Sequence, residues 1–411
     1  METRRVVITG MGAITPLGNS VEEFWNGLKE GRNGIGPITK VDVSDFKVKL
    51  AGEVKGFDPL NYMEFKPAKR MGLFSQYAVA ATKEAIEDSG LDTEKEDPYR
   101  IGVIVGCGIG CMQKHEKEIP KFLAGEKLDP MYIPLVIANM ASANIAIRFG
   151  LKGKNMDVST ACATGTHCIG EAYNSIRLGE ADVMIAGGTE AAITATSIRG
   201  FAALTALTSE TDPDKASRPF DKDRSGFVLG EGAGILVLEE YGHAVKRGAP
   251  ILAEISGYGV TNDAYHITSP SPDGSGAGTA MKIAMTNAGL NPTDIDYINA
   301  HGTSTHHNDL FETRAVKYAL GPAAKSVSIN STKSMTGHLL GGAGAIEAIV
   351  CVKAILESYV HVTRNSFEGE DELDLDYTFG RGKTRNIDNC MSNSLGFGGH
   401  NASLIFSKVK A

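Results

Sequence analysis

The chain has 411 residues, of which 42% are hydrophobic and 22% charged, with a formal net charge of −8. This is the composition of a globular protein with room for two domains or a duplicated one. The negative balance argues against nucleic acid or an anionic membrane as a partner, and no stretch of about 18 apolar residues could span a bilayer.

Residues 1–5 run straight into a strand-like segment at 6–10, with no secretory leader between them, which points to the cytoplasm. A helical pattern over 74–89 stops at Gly90. Residues 101–106 read as a buried strand. Residues 157–161 are expected to close a strand, and Cys162 then opens a helix that ends near 178–179. Further buried strands follow at 181–188 and 234–239. Residues 241–250 mark an internal boundary, after which the strand pattern restarts over 251–259. Two halves of similar grammar result, 1–249 and 250–411. A second helix with no long polar face follows His338, through Ala345, Ile346, Ile349, Val352 and Ile355. Helices apolar all round belong in a core, and the two start just after candidate catalytic residues. Residues 368–376 are acidic and expected to form a solvated surface loop. The alternation indicates an α/β architecture with covered sheets.

The six cysteines, Cys107, Cys111, Cys162, Cys168, Cys351 and Cys390, show no zinc spacing. Five are read as small buried hydrophobes. Cys162 differs because free N–H groups at a helix start favour the thiolate, the nucleophilic form. His301 and His338 lie in loop-like contexts, and Lys333 stands five residues before the second. Together they make a catalytic constellation if the fold unites them. His306 and His307 near Asp309 fit no metal-ligand pattern, and no metal is expected.

Four segments stand in register: Thr160-Ala161-Cys162-Ala163-Thr164-Gly165, Asn299-Ala300-His301-Gly302-Thr303-Ser304-Thr305, Lys333-Ser334-Met335-Thr336-Gly337-His338, and Asn393-Ser394-Leu395-Gly396-Phe397-Gly398-Gly399-His400. In this order the chain resembles the β-ketoacyl-acyl carrier protein synthases, most closely the type II condensing enzymes of bacterial fatty-acid synthesis. The resemblance covers essentially the whole chain. It implies a thiolase-like fold, two related halves in a five-layer αβαβα sandwich, and a homodimer. It implies a decarboxylating Claisen condensation in which Cys162 carries the acyl group. Amides of Cys162 and Phe397 would form an oxyanion hole, and His301 and His338 would donate to the enolate of a malonyl thioester. Lys333 would keep the histidines neutral, Glu347 would pair with it, and Asp309 would brace the loops. Thr303 and Thr305 would meet the phosphopantetheine arm. Phe397, with Gly398, would gate the acyl pocket and move with a second loop, Asp263 to Thr268. Ile109 would line the acyl tunnel. The expected partner is acyl carrier protein, docked on Lys66, Lys69, Arg70 and Lys127, and no cofactor beyond its phosphopantetheine is implied.

Some positions depart from the family pattern. His306 and His307 replace proline and a small or apolar residue, and His361 with Val362 replaces a proline pair. Arg364, Ser225 and His400 are also unusual, and Glu126 and Thr205 fall where better-known members carry arginine. These departures keep open the same chemistry in a polyketide or polyene pathway. A non-catalytic partner resembling a chain-length factor is the other alternative, disfavoured by the intact Cys162, His301 and His338.

Overall fold

The apolar runs at 6–14, 101–107, 183–190 and 232–240 become strands buried along their length. A computed structural model of the chain describes residues 3–410. The first half carries β1 (Val6–Ile14), α1 (Leu73–Ser89), β2 (Ile101–Cys107), β3 (Asn155–Met156), α2 (Thr164–Arg177), β4 (Val183–Glu190) and β5 (Gly232–Glu240). The second carries β6 (Ala253–Asn262), α3 (Ser275–Ala288), β7 (Tyr297–Asn299), α4 (His306–Leu320), β8 (Ser328–Asn330), α5 (Ala343–Glu357), β9 (Asn389–Gly396) and β10 (His400–Ser407).

The strands are bonded in the order β8-β7-β9-β10-β6-β1-β5-β4-β2-β3. In the first half β2 runs parallel to β3 and β4, while β5 is antiparallel to β4 and β1. The second half repeats the scheme: β7 is parallel to β8 and β9, and β10 is antiparallel to β9 and β6. This is a duplication with no visible sequence repeat. The halves meet in a three-residue ladder, Val6 to Ile8 against Ile255 to Ala253. Helices α2 and α5 each touch strands of both halves, so the sheet bends around them. They form the middle of five layers, with α1 outside the first half and α3 and α4 outside the second.

One expectation needs correction. Residues 157–160 form no strand, and β3 stops at Met156. Their polar groups bond locally instead: Thr160 N–H donates to Thr164 Oγ1 at 2.9 Å and Ser159 Oγ to the Cys107 carbonyl at 3.2 Å. The acidic segment 368–376 is the exposed surface loop expected, and ion pairs pin it to the body. Glu370 pairs with the buried Arg224, Glu372 with Arg314, Asp374 with Lys317 and Lys325, and Leu373 is buried beneath them.

The central helices cross where both have lost side chains. A Cβ on Gly165 would lie 2.9 Å from both the Ala345 nitrogen and the Gly341 oxygen. One on Gly344 would lie 2.9 Å from Ser394 Oγ and Thr166 N, and closer still to Thr166 Oγ1. Backbone atoms cannot yield to it. Gly344→Ala is therefore expected to cost about 1–3 kcal/mol of stability, read as a lower unfolding midpoint in denaturant.

Candidate active site

Cys162 sits in a single 3-10 turn, Ala161–Ala163, which feeds into α2. Ala161 takes a left-handed φ of 52°, a conformation that costs a non-glycine residue about 1 kcal/mol or more. This sharp turn presents Cys162 to a cavity of about 380 Å³ that His301, His338 and Phe397 also line. The thiol is 8% exposed, among Ile193, Ile198, Phe227 and Leu340. Burial in this apolar cluster pushes it up to about 12. The charge of Lys333 and the amides of Phe397 and Cys162 pull the other way but do not prevail. The helix-start amides favour the thiolate as expected but are outweighed by burial. Desolvation penalises the charged form more than one short turn of amides favours it, so the resting group is a thiol. The Phe397 and Cys162 N–H groups are nonetheless directed at the sulfur, where an oxyanion on an attached acyl group would form.

His301 follows β7, and His338 follows the short Lys333–Thr336 helix. The backbone of His338 is clamped as a bridge: its N–H donates to the Val228 carbonyl at 2.7 Å, and its carbonyl accepts from Gly230 at 2.8 Å. The two imidazoles meet edge to face with centroids 5.2 Å apart. The Leu340 amide donates to His338 Nδ1 at 3.2 Å, so the ring proton of the neutral form sits on Nε2. His338 Nε2 and His301 Nδ1 are buried without a hydrogen-bond partner among the described residues. Unpaired buried polar atoms of this kind carry a free-energy cost that a ligand can relieve. Burial, then the Lys333 charge, holds both imidazoles well below the ordinary histidine range. They are neutral at pH 7.

Lys333 is itself buried and paired with Glu347, which α5 carries from the same layer. Burial pushes the Glu347 carboxyl up to about 7 and Lys333 opposes it. The sequence-predicted pair is present.

Asp309 braces the loops as expected. It accepts from the amides of Phe220, Thr303 and Ser304 at 2.8–3.1 Å. Three groups escaped the sequence reading. Glu312, one turn beyond Asp309 on α4, accepts from the amides of His301 at 2.7 Å and Gly302 at 2.8 Å. Its spacing from Asp309 was the available signal, since i and i+3 share a helix face. Arg224, 1% exposed, holds the carbonyls of Thr305 and His306 at 3.2 and 2.8 Å. Glu190, at the end of β4, accepts from Cys107 Sγ and the amides of Gly108 and Gly341 at 3.0–3.2 Å. These buried groups fix the loops that carry the reactive side chains.

Phe397 lies on the turn between β9 and β10, where Gly398 has a φ of 89°. The Gly398 N–H donates to the Ile267 carbonyl at 2.8 Å, and the Asp263 N–H to the Gly399 carbonyl at 2.9 Å. Asn262 Nδ2 also donates to the Gly398 carbonyl at 2.8 Å. The two expected gate loops are therefore bonded to each other. Asp263, Thr268, Thr303 and Thr305 line the cavity.

Other predicted residues lie elsewhere. Ile109 is not on the cavity wall but 37% exposed, near the free edge of the first half. The short loop 108–110, tied to Glu190, turns it outward in the single chain. Lys66, Lys69, Arg70 and Lys127 are exposed and outside the cavity. Among the departures, His361 is buried; its Nδ1–H donates to the Val362 carbonyl at 2.8 Å, and its Nε2 accepts from Thr332 at 3.1 Å. Burial brings that imidazole down to about 4. It supports the residue next to Lys333.

With this geometry the comparisons agree. Residues 3–244 match the N-terminal domain of β-ketoacyl synthases and residues 252–366 the C-terminal domain. The chain belongs to the β-ketoacyl synthase family. It is 51% identical, over all of its own length and 99% of the relative's, to 3-oxoacyl-[acyl-carrier-protein] synthase 2 of Synechocystis sp.. A β-ketoacyl synthase from Burkholderia phymatum superposes with a TM-score of 0.93 at 36% identity, covering 99% of this chain and 100% of that one. A ketosynthase solved with its type II PKS acyl-carrier protein gives 0.89 at 35% identity, with the same coverage. The fold is thus the thiolase-like sandwich that the motifs implied.

A thiol raised this far has a clear signature. Alkylation of Cys162 by iodoacetamide, followed by peptide mass spectrometry, is expected to accelerate about tenfold per pH unit from pH 6 to 9. A plateau near neutrality would mean that the thiolate is already formed.

Proposed function

We propose that this enzyme is a 3-oxoacyl-[acyl-carrier-protein] synthase that elongates fatty acyl chains by decarboxylating Claisen condensation. The observation that carries the reading is the convergence on one cavity of Cys162 and two neutral imidazoles, one with its Nε2–H fixed and unpartnered. Cys162 attacks an acyl thioester; the acyl carbon bonds to Sγ, and the carrier thiol leaves with the proton. The Lys333 charge stabilises the thiolate as it develops. A malonyl thioester then enters, its C–CO₂ bond breaks, and the electron pair moves into the enolate. His338 Nε2–H and His301 donate to the enolate oxygen, and such a preorganised donor contributes about 3 kcal/mol. The enolate carbon attacks the acyl carbonyl, whose oxyanion faces the Cys162 and Phe397 amides. Collapse releases the Cys162 thiolate and a 3-oxoacyl product. No step calls for a cofactor other than the carrier's own phosphopantetheine.

The polyketide alternative is less favoured, because identity to the fatty-acid enzyme is 51% against 35% to the polyketide ketosynthase. A carrier protein is the natural donor, and the exposed cations Lys66, Lys69, Arg70 and Lys127, which form no ion pair among the described residues, suit its acidic surface. Among the described residues no helix is long and apolar enough to cross a membrane. Six free cysteines support a reducing, cytoplasmic setting.

Incubation with acyl-carrier proteins of graded length and mass spectrometry should place the acyl group on Cys162. Cys162→Gln should lose condensation yet retain or raise malonyl decarboxylation, since an uncharged amide mimics the acylated thiol. Condensation at the wild-type level by that variant would exclude Cys162 as the nucleophile.

A homodimer completes the reading. Edge strand β3 is exposed, and a path of packed helices (Met140–Phe149, Tyr132–Val136, Met112–Leu123) leads from it across one apolar face. Ile147, Ile133, Phe122 and Leu123 are 60–78% exposed on this path. Such a face on a single chain calls for a partner, and a second copy would also cover Ile109 and close an acyl tunnel there. Ile133→Asp with Met156→Asp is expected to halve the sedimenting mass. An unchanged mass would remove this face from the interface.

A further inference from the structure

The thioester that reaches Cys162 arrives on an arm whose far end is a phosphoester, and the cavity rim has to accommodate that anion. The cavity wall contains no lysine or arginine. Its one permanently charged side chain is Asp263, which is repulsive to phosphate. His301 and His338, at the inner end, are held neutral. The donors left on the wall that could meet an anion strongly are His306 and His307, both exposed on the first turn of α4.

The backbone that carries these rings is held, and one ring is stacked. Arg224 clamps the carbonyls of Thr305 and His306 from below while remaining 1% exposed, so its guanidinium does not reach the rim. His307 stacks on Phe311 with centroids 5.5 Å apart and planes 27° apart. Inward of them, Thr303 Oγ1 and Thr305 Oγ1 lie 2.9 Å from each other along the same wall. The two hydroxyls and the two imidazoles thus line one cavity with Cys162. Thr205, where the family resemblance expects arginine, lines the same cavity. It brings no cation to the wall, and His306 and His307 stand in place of proline and a small residue.

We infer that His306 and His307 form an anion subsite that binds the phosphoester of the incoming phosphopantetheine arm. The inference rests on the synthase reading above and adds a recognition role to two residues outside the catalytic set. Imidazole N–H groups donate to phosphate oxygens whether the ring is neutral or protonated, and hydrogen bonds to a charged acceptor are the stronger kind.

The test uses three acyl donors with one acyl group: acyl-pantetheine, acyl-4′-phosphopantetheine and acyl-carrier protein. Loading of Cys162 is followed by mass spectrometry and steady-state kinetics. The wild-type enzyme is expected to prefer the phosphorylated small donor over acyl-pantetheine by about tenfold in kcat/KM, mainly through KM. In His306→Ala/His307→Ala that preference is expected to fall toward one. A wild-type enzyme that does not discriminate between the two small donors overturns the subsite. So does a double variant that keeps the preference, or one whose only loss is with the carrier protein, since the partner is then the carrier's acidic side chains. Acyl-pantetheine lacks the phosphate, so its transfer to Cys162 tests the synthase reading separately.

Discussion

A buried ammonium is the element on which the site turns. Lys333 lies in the central layer with Glu347 as its counter-ion, and removing such charges from water costs several kcal/mol per ion. The pair is retained in a position where its field reaches all three reactive side chains. It opposes protonation of His301 and His338 and favours the anion of Cys162. One fixed charge therefore works with burial to keep the two imidazoles neutral and works against burial at Cys162, easing formation of the thiolate. Because the thiol rests protonated, the enzyme holds its reactivity back until the cavity is occupied.

The duplicated topology makes that arrangement possible. Each half ends its parallel strands at the same level, and each sends one apolar helix into the shared middle layer. Cys162 opens the helix of the first half. Glu347 belongs to that of the second, His338 lies in the segment that leads into it, and the β9–β10 turn adds Phe397. Reactive groups far apart in sequence are thereby held by rigid elements. The strained turns at Ala161, Ser304 and Leu340 lie at the ends of those elements, where surrounding packing can impose conformations that a free chain avoids.

Much of this was legible in the chain. The apolar runs gave the strands, Gly90 ended its helix as expected, and the short motifs around Cys162, His301, His338 and Phe397 gave the chemistry. Properties created by three-dimensional proximity were not legible. The environment of Cys162 is made by Ile193, Phe227 and Leu340, so burial reversed what the local helix start suggested. Glu190 finds its amide partner 151 residues away at Gly341, and Arg224 serves carbonyls some 80 positions on. Residues 368–376 form the exposed loop their charge announced, but the lysines and arginines that pin it were not visible in the sequence. The repeat itself survives in strand direction and order, which sequence can lose while hydrophobic pattern and hydrogen bonding keep them.

The backbone hydrogen bonds between Gly398 and Ile267, and between Asp263 and Gly399, couple two loops from opposite ends of the second half. The same hydrogen bonds belong to both, so displacing either loop has to break them or carry the other along. A molecule that pushes on only one loop meets the resistance of the pair.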